Sequence, residues 1–551
     1  MVYFVSDASP MLSMDAIKAV LPIGIGLASA AYLTMQVANS RLQTDKSVPM
    51  VNLRPGDSTH DSEYNEDQDA FLQRCEETYG STFNILLLNK TLTVVSGPQI
   101  REVFLNDDLS SIDAFEELTD MVAFFNTMRK SNRDTDHRTI HTLVKDHITP
   151  NLSIFTPRIV EQLEQSLEHE LGYCPADNEG KIVENPLVIM QMMVASAMAN
   201  VFMGPEIAKS RAVIETFIQA SVDFAAMHGN GEAPRASFWN SLVKRANYKV
   251  LNPLQVRVRH LTEVATPVVL ERRRMEAEAI EKGIPYDHPV DILQRLLDNF
   301  DKHGFVDLED VCGHLLILVL ASVHATTDSA TVLLYYMAAF PESMEILYKE
   351  QRQVLDAIQQ ERQQKREELK KKEEPIGEDL DPAHDYDLSS AAIKQMVHLD
   401  SFVREMFRYR TELLTLPHRA RKTVTLSNGI MIPRGHSVII NMKSAHQGPE
   451  QGEGVTEFKP WRFVGKAKAA TKVGADFLPF GMGRQCCMNR HACPGRFLAI
   501  QEIKTIGALM VSKYSMIEIQ DPSKTIKVLR SRSGEPMCTG LVFTAREAVS
   551  L

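Results

Sequence analysis

The chain has 551 residues, of which 44% are hydrophobic and 24% are charged, so it has an ordinary globular composition and ample length for a large buried core. Its formal net charge of −11 gives no support for a nucleic-acid-binding role. Seven cysteines in so long a chain do not indicate a disulfide scaffold, which favours a reducing, cytosol-facing environment.

The first feature along the chain is an uncharged segment from Ala19 to Ser40. At ~1.5 Å of rise per residue, its 22 residues can cross a bilayer core of roughly 30 Å. A cleaved signal peptide is the alternative, because Ala28-Ser29-Ala30 resembles a cleavage site. Basic residues follow the segment, and the positive-inside rule then places the rest of the chain in the cytoplasm. We expect residues 1–45 to be a retained anchor and 46–551 to be one globular domain.

Helical patterns dominate the middle of the chain, where apolar residues recur at intervals of three and four. The segments with this spacing are residues 65–79, 157–172, 186–203, 211–227 and 386–410. A run of mixed charge at 359–374 is predicted to be a solvated extension of a helix.

The clearest predicted helix begins near Asp307 and ends before Pro341. Asp307 can cap it, and the acidic residues that follow suit the positive end of the helix dipole. At about 33 residues it is far longer than the usual helix. It is apolar on nearly all sides, so we expect it to cross the centre of the domain.

Strand signals cluster near the carboxyl end. Thr423–Leu426 and Ile430–Ile432 flank Asn428-Gly429, which is the strongest short signal for a hairpin. Val438–Ile440 and Leu541–Phe543 are predicted to be further strands. Helices throughout with a minor sheet predict a mainly α fold.

The most informative segment is Arg490-His491-Ala492-Cys493-Pro494-Gly495-Arg496, in which the cysteine lies ten residues after Gly483. Pro494 suits the opening positions of a helix, and the partial positive charge of a helix N-terminus favours thiolate over thiol. A lone cysteine is usually buried and inert. A thiolate held in a turn of small residues, however, can be the axial ligand of a haem iron.

This segment resembles the haem-binding signature of the cytochrome P450 family, in the form that its filamentous-fungal members often carry. Cys493, His491 and Gly495 match, and Phe477–Gly483 resembles the preceding Phe-Gly-x-Gly turn. Six additional residues, 484–489, separate the two parts. Counted from the glycines, Cys487 stands at the ligand position and is the alternative; counted from the helix, Cys493 has the expected neighbours. We expect Cys493 to be the metal ligand and the insertion to bulge out.

Two further segments occur in the order that the family shows. Glu405 and Arg408 form Glu-x-x-Arg on one face of a helix. Arg462 lies in Phe458-Lys459-Pro460-Trp461-Arg462-Phe463, which resembles the family's Phe-x-Pro-x-Arg-Phe segment. The resemblance, which extends from about residue 46 to the C-terminus, implies a buried structural network of Glu405, Arg408 and Arg462. Such a cluster is tolerable only if every charge is paired.

The resemblance also implies contacts to the two haem propionates, which need cationic or hydrogen-bonding partners. The candidate cofactor-binding residues are His137, His141, His418, Arg419 and His491. A purely structural histidine is the alternative at each position. We favour His491 because its offset from the thiolate is fixed.

On the long helix, the family commonly carries an acidic residue followed by two threonines, which serve oxygen activation and proton delivery. This chain has Ala321-Ser322-Val323-His324-Ala325-Thr326-Thr327-Asp328. In the direct alignment Ala325 takes the position of the catalytic threonine, and Thr326 takes it after a shift of one residue. We expect Thr326 and His324 to be the catalytic proton-delivery groups, with Asp328 or water as an alternative to His324. A Thr326 hydroxyl bonded to its own helix is the structural alternative.

The resemblance implies a membrane-anchored haem-thiolate monooxygenase, with the catalytic domain at 46–551. It would oxidise a large apolar secondary metabolite, such as a terpenoid or alkaloid intermediate, with O₂ and electrons from NADPH–cytochrome P450 reductase. It implies a single-pass protein of the endoplasmic reticulum membrane that faces the cytoplasm, and we expect a monomer. Aromatic and methionine side chains in 110–128 and 211–228 favour an apolar pocket, although plain core is the alternative.

Three other interpretations remain open. The missing acid and Ala325 would suit a haem-thiolate isomerase or dehydratase that does not activate O₂. The insertion at 484–489 allows a haem-free, inactive protein. A zinc site made of Cys486, Cys487, His491 and Cys493 has poor tetrahedral geometry within one tight loop.

Overall fold

The long apolar helix that the sequence predicts runs from Leu308 to Ala339, and we refer to it as the central helix. Asp307 precedes it, and its carboxylate accepts a hydrogen bond from the Asp310 N–H at 2.9 Å, which satisfies one of the free donors at the helix start. Side chains on every face of the helix are buried, so it lies within the core. The prediction for this helix is therefore confirmed.

The computed structural model describes most of the chain after residue 47. The described residues are 48–87, 90–119, 124–131, 138–175, 180–228, 252–375, 377, 380–410, 414–486, 489–530 and 537–547. The anchor predicted at 19–40 lies outside them.

The described helices are numbered in chain order. They are α1 (Asp61–Glu66), α2 (Gln68–Tyr79), α3 (Gln99–Leu105), α4 (Ser111–Thr119), α5 (Arg138–Leu143), α6 (Leu152–Leu171), α7 (Pro186–Met203), α8 (Pro205–Ala208), α9 (Arg211–His228), α10 (Pro253–Glu281), α11 (Ile292–Asp298), α12 (Phe300–His303), the central helix as α13, α14 (Glu342–Lys371), α15 (Ser390–Gln395), α16 (Val397–Tyr409), α17 (Met442–His446), α18 (Arg496–Lys513) and α19 (Thr525–Leu529).

The helices predicted from apolar spacing are confirmed, with 386–410 divided into α15 and α16. The charged run at 359–374 is helical as far as Lys371, but it is not wholly solvated. Arg366 is buried, and its guanidinium makes two hydrogen bonds of 2.7 Å to the Asp385 carboxylate. The acidic segment after the helix thus folds back on it, which charge composition alone does not indicate.

The described strands are short and belong to four small sheets. They are β1 (Thr82–Leu87), β2 (Lys90–Val95), β3 (Leu109–Ser110), β4 (Lys181–Val183), β5 (Leu414–Ala420), β6 (Val424–Thr425), β7 (Met431–Ile432), β8 (Ser437–Asn441), β9 (Arg484–Cys486), β10 (Asn489–His491), β11 (Tyr514–Ile519) and β12 (Leu541–Ala545). The largest sheet has the order β1-β2-β8-β5-β3, with β2 and β8 parallel. The helices outweigh these strands, so the mainly α fold is confirmed.

The predicted hairpin around Asn428-Gly429 is present as β6 and β7, and Gly429 has the positive φ of 82° that the turn requires. The sequence signals for strands cluster near the carboxyl end, but β1 and β2, which they do not indicate, lie near the amino end. Residues on both faces of these strands are buried. The alternation that reveals a half-exposed strand is therefore missing from their sequence.

Two described helices, α7 and the central helix, are long and apolar enough to cross a membrane. In their most apolar windows, however, 78% and 67% of the residues are buried inside the protein. Both are part of the same hydrophobic core, which also includes much of α6 and α18. Their apolar character is explained by this core.

Candidate active site

The turn that carries Cys493 is held by backbone hydrogen bonds to the glycine-containing segment before it. The Cys493 N–H donates to the Phe480 carbonyl at 2.9 Å, and the Ala492 N–H donates to the Gly483 carbonyl at 2.9 Å. Gly481 and Gly483 have positive φ values of 64° and 72°, which glycine tolerates without strain. The sequence pattern indicates that Cys493 lies in the first turn of a helix. Helix α18 begins only at Arg496, so Cys493 lies just before the helix.

The insertion at 484–489 extends from this turn and forms part of a small antiparallel ribbon. Strands β9 and β10 pair with each other, with His491 opposite Arg484. Cys487 and Met488, which connect the two strands, are outside the described residues, as is the His491 side chain. Because Gly483 and Ala492 are hydrogen-bonded at the base of the ribbon, the insertion does not separate Cys493 from the Phe480 segment.

Glu405, Arg408 and Arg462 form one buried ion-pair network. The Glu405 carboxylate accepts hydrogen bonds from Arg408 at 2.7 and 2.8 Å and from Arg462 at 2.9 and 3.0 Å, and Glu405 and Arg408 are fully buried. The remaining guanidinium donors bond backbone carbonyls, namely those of His446, Gln451, Glu453, Gly454, Val455 and Glu457. The network therefore joins α16 to the loop between α17 and Arg462, and each charge in it is paired.

Sequence analysis missed a second cluster in the same region. Asp400 accepts a hydrogen bond from Lys504 of α18 at 3.1 Å, and Arg404 donates to two carbonyls of the loop before Cys493. Arg496 donates to the carbonyl of Cys493 itself at 2.8 Å. Most of these partners are backbone groups, which leave no trace in a sequence motif.

The middle of the central helix presents a stripe of exposed residues within an otherwise buried helix. Ala321, His324 and Ala325 are exposed, whereas Thr326 is only 3% exposed. Thr326 makes no side-chain hydrogen bond to any described residue, so its hydroxyl is not bonded back to its own helix. Asp328 forms an ion pair of 2.8 Å with Arg410, which directly follows α16.

The candidate propionate contacts are in different settings. His418 is fully buried, and its Nδ1 lies 2.8 Å from the Leu416 carbonyl. Burial lowers the pKa of His418 to about 4, so the ring is neutral. Arg419 points the other way and pairs with Glu117 at 3.2 Å. His141 is half-buried on α5, whereas His137 and the His491 side chain lie outside the described residues.

Aromatic residues from the two predicted pocket segments meet in the core. The ring centroid of Phe224 on α9 lies 5.7 Å from that of Phe124 and 6.1 Å from that of Phe125. Phe124, Phe125 and Phe217 are buried. Apolar side chains from both segments are therefore brought together, as either a pocket wall or a core would require.

Several features of the Cys493 turn fit a haem-thiolate site. The thiol is half-buried, and a Cβ added at Gly495 would meet only the Cys493 sulfur, at 3.8 Å. The glycine thus leaves space beside the sulfur. Helix α18 also packs against the central helix, because a Cβ added at Gly507 would lie 3.2 Å from Leu333 and 3.3 Å from Met337. The donor is a single soft sulfur, which suits thiolate ligation of haem iron.

Comparisons with known proteins cover this whole region. The family model described as Cytochrome P450 matches residues 60–533 of the chain. The chain is 24% identical to Cytochrome P450 monooxygenase 151 of Postia placenta over 478 residues, which are 83% of this chain and 85% of that protein. It is 26% identical to Cytochrome P450 monooxygenase paxP of Penicillium paxilli over 455 residues, or 79% and 76% of the two chains. It is 25% identical to Cytochrome P450 monooxygenase AtmP of Aspergillus flavus over 446 residues, or 78% and 76%. The matched span includes the central helix, the Glu405 network and the Cys493 turn.

Proposed function

Since the chain belongs to the cytochrome P450 family and is thus an oxidoreductase, we propose that it is a membrane-anchored haem-thiolate monooxygenase that acts on a large apolar secondary metabolite. The observation that carries the proposal is the Cys493 turn, bonded to Phe480 and Gly483 within the span that the family model matches. Bound haem would supply oxygen activation, which a thiolate ligand promotes. The protein supplies the ligand, the pocket and the proton path.

Cys493 is the proposed ligand, and the hairpin of β9 and β10 supports it over Cys487. The hairpin is an inserted loop, and the hydrogen bond from the Ala492 N–H to the Gly483 carbonyl closes its base. Cys493 follows that base directly along the chain, whereas Cys487 is one of the inserted residues and lies outside the described part of the chain. The two backbone hydrogen bonds that hold the Cys493 turn are therefore made by residues outside the insertion.

Three variants test the ligand assignment: Cys493→Ser, Cys487→Ser and deletion of residues 484–489. In the reduced, carbon monoxide-bound state the wild type should show a band near about 450 nm, which reports thiolate ligation. We expect Cys493→Ser to lose this band and the other two variants to keep it. Loss of the band in Cys487→Ser with its retention in Cys493→Ser would reverse the assignment, and a colourless wild type after haem feeding would indicate an inactive relic.

His324 and Thr326 are the proposed proton-delivery residues, and their exposure ranks them. The His324 side chain is exposed, whereas Thr326 is almost enclosed by protein. We therefore expect His324→Ala to lower product formed per NADPH consumed more than Thr326→Ala does. The opposite order would identify the Thr326 hydroxyl as the main proton-delivery group.

For the propionates, we favour His141, His491 and His137, because the described contacts of His418 and Arg419 speak against those two residues. His418 has no exposed surface, and a ring that donates its Nδ1–H to Leu416 keeps only an acceptor at Nε2. Arg419 is engaged with Glu117. The haem affinity of the apoprotein, measured by titration, should fall more in His491→Ala than in Arg419→Ala.

A second function is supported by one observation. Ala325, which takes the aligned position of the catalytic threonine, lies on the exposed stripe of the central helix and has no hydroxyl. A haem-thiolate isomerase or dehydratase, which does not activate O₂, would not need one. Oxygen uptake with substrate, NADPH and reductase distinguishes the two functions: product at an equal rate without oxygen would establish the second.

The proposed domain organisation is an anchor at 1–45, with its helix at about 19–40, and a catalytic domain at 46–551. It implies the endoplasmic reticulum membrane, a cytoplasmic catalytic domain and NADPH–cytochrome P450 reductase as the electron donor. Full-length protein should sediment with membranes and resist extraction by high salt, and a chain without residues 1–45 should be released. Equal membrane retention of both forms would contradict the anchor.

A further inference from the structure

The segment Ala469–Lys472 is linked to Cys493 through Arg496 and is held by side chains of α16; we call it the clamp loop. Asp400 accepts a hydrogen bond from the Ala470 N–H at 2.9 Å. Arg404 donates to the carbonyls of Ala469 and Lys472 at 2.7 and 2.8 Å. Ala470 is fully buried. Three hydrogen bonds over four residues therefore fix this loop to the helix that also carries Glu405.

Arg404 is a rigid anchor for the clamp loop. It is 1% exposed, and its guanidinium carbon lies 3.7 Å from the ring centroid of Phe477 and 4.8 Å from that of Phe463. Burial lowers the pKa of Arg404 to about 10, so it remains charged at neutral pH. A guanidinium enclosed by two rings has little freedom to reorient.

Arg496 connects the clamp loop to the candidate ligand. Its Nε donates to the Thr471 carbonyl at 3.0 Å, and its Nη1 donates to the Cys493 carbonyl at 2.8 Å. The guanidinium also lies 4.2 Å from the ring centroid of Phe497. One cationic side chain therefore bridges a fixed loop and the peptide group of the residue that would hold the iron.

This bridge has two consequences for a thiolate at Cys493. It restrains the peptide group that positions the sulfur, and it places a positive charge next to the residue that carries the negative one. A nearby cation stabilises a thiolate and reduces the electron density that it donates. Partners of this kind orient metal ligands and tune the metal, and their loss typically costs 10–100-fold in affinity or activity.

We propose that Arg496, anchored by the clamp loop, is a positioning residue that sets the geometry and donor strength of the Cys493 sulfur. The inference rests on the proposed haem-thiolate function. It concerns a contact outside the Glu405 network, which braces the loop after α17.

The experiment compares full-length wild type with Arg496→Gln, Arg496→Lys and Thr471→Ala. Thr471 contributes only its backbone carbonyl to the bridge, so Thr471→Ala is the matched control. For each protein we would measure haem content, thermal melting, the reduced carbon monoxide-bound spectrum and the midpoint potential of the haem.

We expect Thr471→Ala to match the wild type in every measurement. Arg496→Gln should lose most of the band near about 450 nm, and the thiolate-ligated fraction that remains should have a more negative midpoint potential, because a stronger donor favours the oxidised iron. Arg496→Lys retains the charge but not the two-point geometry. It should keep a potential near the wild-type value while losing part of the band.

An unchanged band and potential in Arg496→Gln would overturn the inference. If Arg496→Gln purifies without haem, Arg496→Lys decides: partial loss of the band supports the positioning role, and wild-type behaviour rejects it. A wild type that binds haem without the band contradicts the proposed function itself. A wild-type band that neither Arg496 variant alters contradicts only the role of Arg496.

Discussion

Polar groups are arranged differently in two regions of the molecule: the bracing region behind Cys493, formed by α16 and residues 446–477, and the middle of the central helix, residues 321–328. In the bracing region, Glu405 and Arg408 have no exposed surface. They form an ion pair with each other, and they are also bonded to Arg462 and to backbone groups. In the central helix, His324 is exposed, and Asp328 forms an ion pair with Arg410, which directly follows α16.

The difference agrees with the roles that we propose for the two regions. A cysteine turn that must hold a metal ligand in one geometry needs a support that does not move, and buried paired charges provide one because they have few alternative arrangements. In the proposed proton path, the exposed His324 side chain can exchange protons with its surroundings, whereas Thr326 is almost enclosed. Substitutions should accordingly affect stability in the first region and turnover in the second.

The largest expected effect follows from Arg408→Ala. It leaves the buried Glu405 carboxylate with Arg462 as its single charged partner, and breaking one member of such a network typically costs about 3–5 kcal/mol. Urea denaturation followed by circular dichroism would measure the loss. The control is Arg419→Ala, which breaks the half-exposed pair with Glu117 and should cost at most about 1 kcal/mol. Similar costs for both variants would show that the bracing region has no special stability.

Glu502 is an exception among the buried carboxylates, and it is the next test. It lies on α18, is fully buried, and neither carboxylate oxygen has a hydrogen-bond partner among the described residues. Burial raises the pKa of Glu502 from 4.5 to about 8. Between these values the folded protein keeps a proton that the unfolded chain releases, so this group makes stability fall as pH rises through that window, by up to ~1.4 kcal/mol per pH unit.

Glu502→Gln removes this titration. As the pH rises from 5 to 8, the unfolding free energy of Glu502→Gln should therefore increase relative to that of the wild type by about a few kcal/mol. Denaturation curves across this pH range would measure it, with Glu518→Gln, which removes an exposed carboxylate, as the control. Parallel pH profiles for Glu502→Gln and wild type would show that the carboxyl does not titrate in this window.

The bracing region could be predicted from the sequence to the extent that its contacts join side chains at fixed spacings. Glu405, Arg408 and Arg462 belong to short motifs whose order along the chain is informative, and the structure joins them. Arg404 and Arg496 bond to backbone carbonyls instead. Any residue can supply a carbonyl, so no residue pattern indicates these contacts.

The central helix shows the converse. Its bounds follow from a capping aspartate, a continuous apolar run and a proline, and they agree with the structure to within two residues. The local sequence does not settle which of its residues face outward in the middle, because shifting the alignment by one residue exchanges Ala325 for Thr326. About 100° of helical rotation separates neighbouring residues, and only packing against other elements decides which one is enclosed.

The smallest expected effect on stability follows from Asp328→Asn. This change removes a largely buried ion pair with Arg410, in which the two side chains are 15% and 11% exposed, so it should cost about 1.5–3 kcal/mol. Because Asp328 is held by a guanidinium while His324 is exposed, we expect Asp328→Asn to lower product formed per NADPH less than His324→Ala does. The measurement is NADPH consumption against product at matched protein concentration. If Asp328→Asn uncouples the two more strongly, the carboxylate and not the imidazole delivers protons, and the ion pair with Arg410 then belongs to the proton path instead of the scaffold.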